Sequence, residues 1–86
     1  MDGVQKMIKH EFWSVENTGW SGGISWFPTG GSEAIPLRFN SFEKASIYAK
    51  KKKKAEDDEY CKWRVVHTTI ERYDDKEVIT NAWTTI

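Results

Sequence analysis

Two pairs of adjacent aromatic residues constrain the fold of this chain more than any other feature. Phe12-Trp13 and Trp26-Phe27 each lie in a segment whose residues are typical of a β-strand. Because successive strand residues point to opposite faces of a sheet, each pair places one large aromatic side chain on each face. A helix that covers one face therefore leaves the other face with aromatics of its own.

The residues around these pairs predict several short strands separated by turns. Pro36 lacks a backbone N–H, so the segment that contains it is expected to be an irregular strand or to lie at a sheet edge. Asp74, Asp75 and Lys76 predict a hairpin turn between the last two strands. The predicted strands are 8–17, 24–27, ended by Pro28, then 34–39, 60–73 and 77–86.

One segment in the middle of the chain has helical periodicity. The helix is predicted to begin at Asn40, because Asn40 and Glu43 stand at the spacing of a capping box. It is predicted to end near the acids at 56–59, since negative charge is unfavourable at the C-terminus of a helix. Its narrow apolar stripe consists of Phe42, Ala45, Tyr48 and Ala49.

These elements predict an α+β fold in the order β-β-(β)-α-β-β, with one helix packed on one face of a four- or five-stranded antiparallel sheet. Residues 1–86 are predicted to form a single domain, with 1–7 as a flexible N-terminus. A chain of 86 residues buries only about 60–65% of its unfolded surface. It can build one core and one or two functional surfaces, which favours a binding module over an enzyme.

The charge balance narrows the choice of partners. Thirteen basic and thirteen acidic residues cancel, whereas nucleic-acid-binding proteins usually carry a basic excess. The lysines at 50–54 are followed by four acids, and pairs at i and i+4 would partly neutralise them. This run therefore predicts a solvated helix end. The single cysteine and the lack of a membrane-length apolar run predict a cytoplasmic protein without a membrane partner.

Candidate catalytic and metal-binding residues are sparse. Cys61 and His67 are six residues apart in one predicted strand, which is roughly 20 Å and too far for a nucleophile and its base. His10 and His67 could face each other across paired strands, but no third ligand stands at zinc-type spacing. The sequence predicts no catalytic residue, no metal and no cofactor, and hence no enzyme.

The segments at 11–16, 36–39, 40–45 and 63–66 follow one another in a layout that resembles small accessory proteins of tailed bacteriophages. That group places one helix on an antiparallel sheet, and several members inhibit host proteins, including RNA polymerase and CRISPR effector complexes. The resemblance implies a phage-encoded inhibitor of a host protein. It carries over no functional residue, because the group shares no site motif that this chain matches.

The function predicted from these observations is non-enzymatic protein binding through the sheet face opposite the helix. That face could instead be capped by the glycine-rich loop around Trp20 together with Trp83. A single-stranded nucleic-acid binder, with bases stacked on the same aromatics, is the alternative function, and the face could also support a homodimer. Trp63 is assigned to the core. The predicted partner-binding residues are Phe12, Trp13, Trp20, Trp26 and Phe27.

Overall fold

The computed structural model describes residues 7–19, 25–30, 37–56 and 60–86. Within these ranges the chain forms one helix packed against an antiparallel sheet in the spatial order β2-β1-β3-β4, which confirms the predicted α+β fold and its element order. The elements are β1 (Ile8–Asn17), β2 (Phe27–Pro28), α1 (Phe42–Glu56), β3 (Trp63–Arg72) and β4 (Glu77–Thr85).

The two long central strands, β1 and β3, pair along their full lengths. Val15 lies opposite Val65, and Asn17 lies opposite Trp63. The turn between β3 and β4 sets the second register, because the N–H of Tyr73 donates to the carbonyl of Lys76 at 2.8 Å. The predicted hairpin at 74–76 is therefore confirmed.

The core lies between α1 and one face of the sheet. Ala45 and Ala49 are fully buried, and their small side chains let the helix approach β1 and β3 closely. Trp63 is only 3% exposed, which confirms its assignment to the core. The buried cluster comprises Val15, Ala45, Ala49, Cys61, Trp63 and Val65.

The start of α1 differs from the prediction. The hydroxyl of Ser41 accepts the N–H of Lys44 at 3.2 Å, so Ser41 caps the helix and the Asn40–Glu43 capping box is wrong. The physical reason is that α1 begins at Phe42, so the residue that flanks its first turn is Ser41 and not Asn40. The helix ends at Glu56, close to the predicted end. Among the described residues no helix is long and apolar enough to cross a membrane.

The sheet edge at β2 is shorter than predicted. Pro28 was expected to end the strand, but it belongs to β2 and pairs with Glu16, which is tolerated because β2 is an edge strand. In the predicted strand at 34–39, Phe39 forms an isolated bridge with Trp13, and residues 34–36 lie outside the described ranges. Residue 24 and the predicted flexible residues 1–6 also lie outside them.

Gly30 sits where the chain leaves β2, with φ of +84°. A Cβ at this position would lie 2.7 Å from Leu37 Cδ2 and 2.9 Å from the hydroxyl oxygen of Tyr48. Glycine is favoured here chiefly by the backbone, since other residues rarely adopt this φ, and a Cβ would in addition require the side chains of Leu37 and Tyr48 to shift.

Replacement of Trp63 by alanine should lower the free energy of unfolding by about 3–5 kcal/mol, because it removes the largest side chain of the core. Chemical denaturation followed by circular dichroism measures this change. Lys51→Gln on the exposed side of α1 is the matched control and should change the free energy by under about 1 kcal/mol. Equal effects of the two variants would contradict the assignment of the core to this side of the sheet.

Candidate functional site

The sheet face opposite α1, called the helix-free face below, has a composition set by the strand registers. Val15 and Val65 point toward the helix, so the even-numbered residues of β1 and β3 point away from it. In β4 the odd-numbered residues share that side, because Trp83 lies opposite Val66. Large side chains that β1, β3 and β4 place on the helix-free face include those of Ile8, Phe12, Arg64, Ile70, Arg72, Ile79 and Trp83.

Arg64 holds two tryptophan rings together on this face. Its guanidinium carbon lies 4.0 Å from the ring centroid of Trp26 and 5.1 Å from that of Trp83. Both distances are within the range of cation–π attraction. Trp26, Arg64 and Trp83 are called the arginine stack below.

Glu16 anchors the arginine stack from the neighbouring strand. Glu16 and Arg64 are direct cross-strand partners. The Oε1 atom of Glu16 accepts from Nε of Arg64 at 2.8 Å and from an outer guanidinium nitrogen at 2.7 Å. The two side chains are 23% and 20% exposed, so the ion pair is largely shielded from water. Charge neutralisation and two hydrogen bonds together hold the guanidinium in place beside both rings.

A second aromatic–arginine pair lies farther along β1. The guanidinium carbon of Arg38 lies 4.1 Å from the ring centroid of Phe12. Arg38 makes no ion pair with a described residue. An open groove of about 400 Å³ begins at this pair, and it is lined by His10, Glu11, Phe12, Arg38, Ile70 and Arg72.

The helix-free face has buried side chains at its centre, in β3, and exposed apolar side chains on its flanks. Val66 and Thr68, in the central strand β3, are only 5% and 9% exposed although no described helix covers them. The hydroxyl of Thr68 donates to the side-chain oxygen of Asn81 at 2.8 Å. On the flanks, Ile79 is 56% exposed and Trp83 is 58% exposed. Large apolar side chains this exposed on one side of a sheet are typical of a binding surface.

The structure divides the predicted partner-binding residues between two sides of the sheet. Phe12 lies on the helix-free face, and Trp26 lies there with Arg64. Trp13 lies on the helix side, where it stacks on His67 with ring centroids 4.4 Å apart. Phe27 pairs with Asn17 on the helix side and is 52% exposed. Each aromatic pair is thus split between the faces, as the parity predicted.

The fifth predicted residue, Trp20, lies outside the described residues, as does the middle of its loop. Two members of the arginine stack were absent from the predicted site, namely Arg64 and Trp83. The signal for Trp83 was present in the sequence, because a tight turn at 74–76 places Val66 opposite Trp83. For Arg64 the sequence carries no comparable signal, since its stacking depends on where the edge strand β2 brings Trp26.

The described chemistry-bearing residues do not assemble into a nucleophile or metal centre. Cys61 is buried in the core, while Nε2 of His67 lies 3.0 Å from Oε2 of Glu11. The expectation that His10 and His67 could face each other is wrong, because His10 pairs with Ile70 on the helix-free face and His67 lies on the other side. Among described residues, no group of three histidines, cysteines or acids could hold a metal ion.

The lysine run is exposed on α1, on the other side of the sheet from the arginine stack. Nζ of Lys53 donates to the carbonyl of Ile86 at 3.0 Å, and Nζ of Lys52 lies 5.7 Å from the ring centroid of Tyr48. These contacts belong to the end of the helix. The run therefore does not extend the helix-free face.

Comparison of the chain with protein-family models, with curated proteins and with solved structures found no match.

The ion pair between Glu16 and Arg64 should contribute more to stability than the exposed pair between Arg72 and Glu77. A double-mutant cycle with Glu16→Gln and Arg64→Met should give a coupling energy of about 0.5–3 kcal/mol by chemical denaturation, because these residues share a partly buried network. The same cycle with Arg72→Met and Glu77→Gln, whose side chains are 59% and 43% exposed, should give about 0–1 kcal/mol. A smaller coupling for Glu16 and Arg64 than for the exposed pair would contradict the anchoring role.

Proposed function

We propose that this chain is a non-enzymatic protein-binding module that binds its partner through the helix-free face. The observation that carries the proposal is the arginine stack, in which Arg64 fixes Trp83 in place while that ring stays 58% exposed. A large apolar ring that is already ordered loses little conformational entropy when a partner covers it.

The chemistry of the arginine stack suits a protein interface. Tryptophan and arginine are enriched among the residues that dominate binding energy. The charge of Arg64 is already neutralised by Glu16, so covering the arginine stack does not leave an unpaired buried cation. A partner surface that is apolar opposite Trp83 would meet no unsatisfied charge there.

The second pair on this face suggests where the partner carries charge. Arg38 lies over Phe12 and makes no ion pair with a described residue. A carboxylate of the partner could form a charge-assisted bond with this guanidinium. We therefore propose a partner surface with an apolar centre and an acidic group toward the groove at Phe12.

The resemblance to phage accessory proteins extends this proposal to a host protein that the chain would inhibit, in host defence such as CRISPR or in host transcription, within the bacterial cytoplasm. This extension rests on the layout of the sequence alone. Identification of the captured partner tests it separately from the binding surface.

Single-stranded nucleic acid is the weaker candidate for the same face. Base stacking needs free ring faces, and the guanidinium of Arg64 already lies over Trp26 and Trp83. Backbone binding needs several free cations along the face, and of the three described arginines there Arg64 and Arg72 are paired with Glu16 and Glu77, which leaves Arg38. Both features favour a protein partner.

A purified, tagged chain should capture a stoichiometric protein from a bacterial lysate, and Trp83→Ala should weaken that complex by about 30-fold or more. The estimate corresponds to the ~2 kcal/mol that a central interface tryptophan contributes. Isothermal titration calorimetry with the purified partner measures the change. Ile47→Ala is the matched control, since Ile47 is also 58% exposed but lies on α1. Equal loss for both variants, or capture of no protein, would contradict the proposal.

Titration with single-stranded oligonucleotides at low salt should give no saturable quenching of tryptophan fluorescence. Trp26 and Trp83 are the reporters, because stacked bases would contact their rings. Saturable quenching that disappears steeply with added salt would instead support the nucleic-acid function.

A further inference from the structure

The outer edge of β4 has no strand beside it among the described residues. The sheet order ends at β4, and all nine residues of this strand are exposed. The strand reads EVITNAWTT, with a single charged residue, Glu77, at its first position. Long exposed edge strands with few charges pair readily with another strand.

The hydrogen bonds of β3 determine which backbone groups point outward from β4. The N–H of Ile86 donates to the carbonyl of Trp63 at 2.9 Å, and the N–H of Tyr73 donates to the carbonyl of Lys76 at 2.8 Å. Because bonded pairs alternate along an antiparallel ladder, the even-numbered residues of β4 bond to β3. The outward-pointing N–H and C=O groups belong to Glu77, Ile79, Asn81, Trp83 and Thr85.

The opposite edge of the sheet is protected in the ways that sheet edges usually are. The edge strand β2 has only two residues, and one of them is Pro28. Trp13 exchanges both backbone hydrogen bonds with Phe39, at 2.9 and 2.7 Å. The residues of β1 beyond this bridge that point their backbone groups outward are the charged Lys9 and Glu11. Among residues 7–19, 25–30, 37–56 and 60–86, nothing protects the edge of β4 in this way.

We propose that β4 pairs antiparallel with β4 of a second copy of this chain, about a two-fold axis through Asn81. Asn81 is the midpoint of Glu77–Thr85, so this register pairs the strand over its whole length. It also places every outward-pointing residue opposite another outward-pointing residue. Each such pair exchanges both backbone hydrogen bonds, as a hydrogen-bonded antiparallel pair requires.

The side chains are compatible with the same register. Ile79 of one copy lies opposite Trp83 of the other, twice about the axis, and aromatic residues opposite β-branched ones are favourable cross-strand pairs. Glu77 lies opposite Thr85 and not opposite another acid. Its carboxylate also accepts a hydrogen bond from Nε of Arg72 in its own hairpin at 2.7 Å. The negative charge of Glu77 is therefore neutralised and does not repel the second copy.

This pairing would join the two sheets edge to edge, with both helices on one side. Residues directly opposite in an antiparallel pair share a face, so the helix-free faces of the two copies would form one continuous surface. The contact uses the edge of the sheet and covers only the side of Trp83 that faces Ile79 of the other copy, so the outer surface of the helix-free face stays open. It differs from a homodimer built through the helix-free face, and it does not depend on the proposed protein partner.

Sedimentation velocity over a range of protein concentrations should show the mass rising from monomer to dimer. Ile79→Pro should raise the dissociation constant of the dimer by at least about tenfold, because the lost N–H points outward and occurs twice per dimer. Thr80→Pro is the matched control. Its N–H bonds to β3, so this variant should lose strand structure by circular dichroism. A wild-type chain that stays monomeric at every concentration would overturn the proposal.

Cysteine cross-linking tests the register without a proline. In a Cys61→Ala background, Asn81→Cys should form a disulfide-linked dimer under mild oxidation, because directly opposed Cα atoms lie about 5.5 Å apart. Thr85→Cys is the control, since the two copies of that residue would be about 26 Å apart. Equal cross-linking of both variants, or none through Asn81, would overturn the edge pairing even if a dimer is present.

Discussion

The packing of two alanines against the sheet is the contact on which the rest of the structure depends. Ala45 and Ala49 are fully buried and let α1 lie directly on Trp63 and Val65. A single helix seated this closely covers one face of β1 and β3 and cannot reach the other. The helix-free face is thus a direct consequence of the core, since the same strands must direct alternate side chains away from it.

Within the described part of the chain, no second layer covers the helix-free face, and two of its arginines are paired with acids on the face itself. Arginine is suited to this position, because its planar guanidinium can stack on rings while its nitrogens bond a carboxylate. Arg64 does both, because its guanidinium lies within cation–π distance of Trp26 and Trp83 and bonds the carboxylate of Glu16. The charge is satisfied within the chain and the ring of Trp83 remains exposed, so the arginine stack presents a large apolar ring that is held in place. Those two properties together support a binding surface.

The sequence predicted most of the fold because the signals were local. The β-forming residues of β1 and β3, the turn at 74–76 and the end of α1 all depend on neighbouring residues, and the structure has each of these elements close to its predicted position. The prediction and the structure differ at two positions where the local residues permit two arrangements. Asn40 and Ser41 are both good caps, and the structure selects Ser41 through its bond to Lys44. Pro28 was placed after its strand, although an edge position permits it within β2.

The sequence by itself determined that Phe12 and Trp13 would lie on opposite faces, because strand geometry admits no other arrangement. Only the tertiary structure decided what surrounds them: Trp13 stacks on His67 beside the core, and Phe12 lies under Arg38. The candidate site was equally undetermined, since the residues of the arginine stack are far apart in sequence. They meet because Arg64 in β3, Trp83 in β4 and Trp26, which directly precedes β2, lie on the same face. Such a meeting depends on strand order and register, which long-range pairing sets and local residue patterns do not encode.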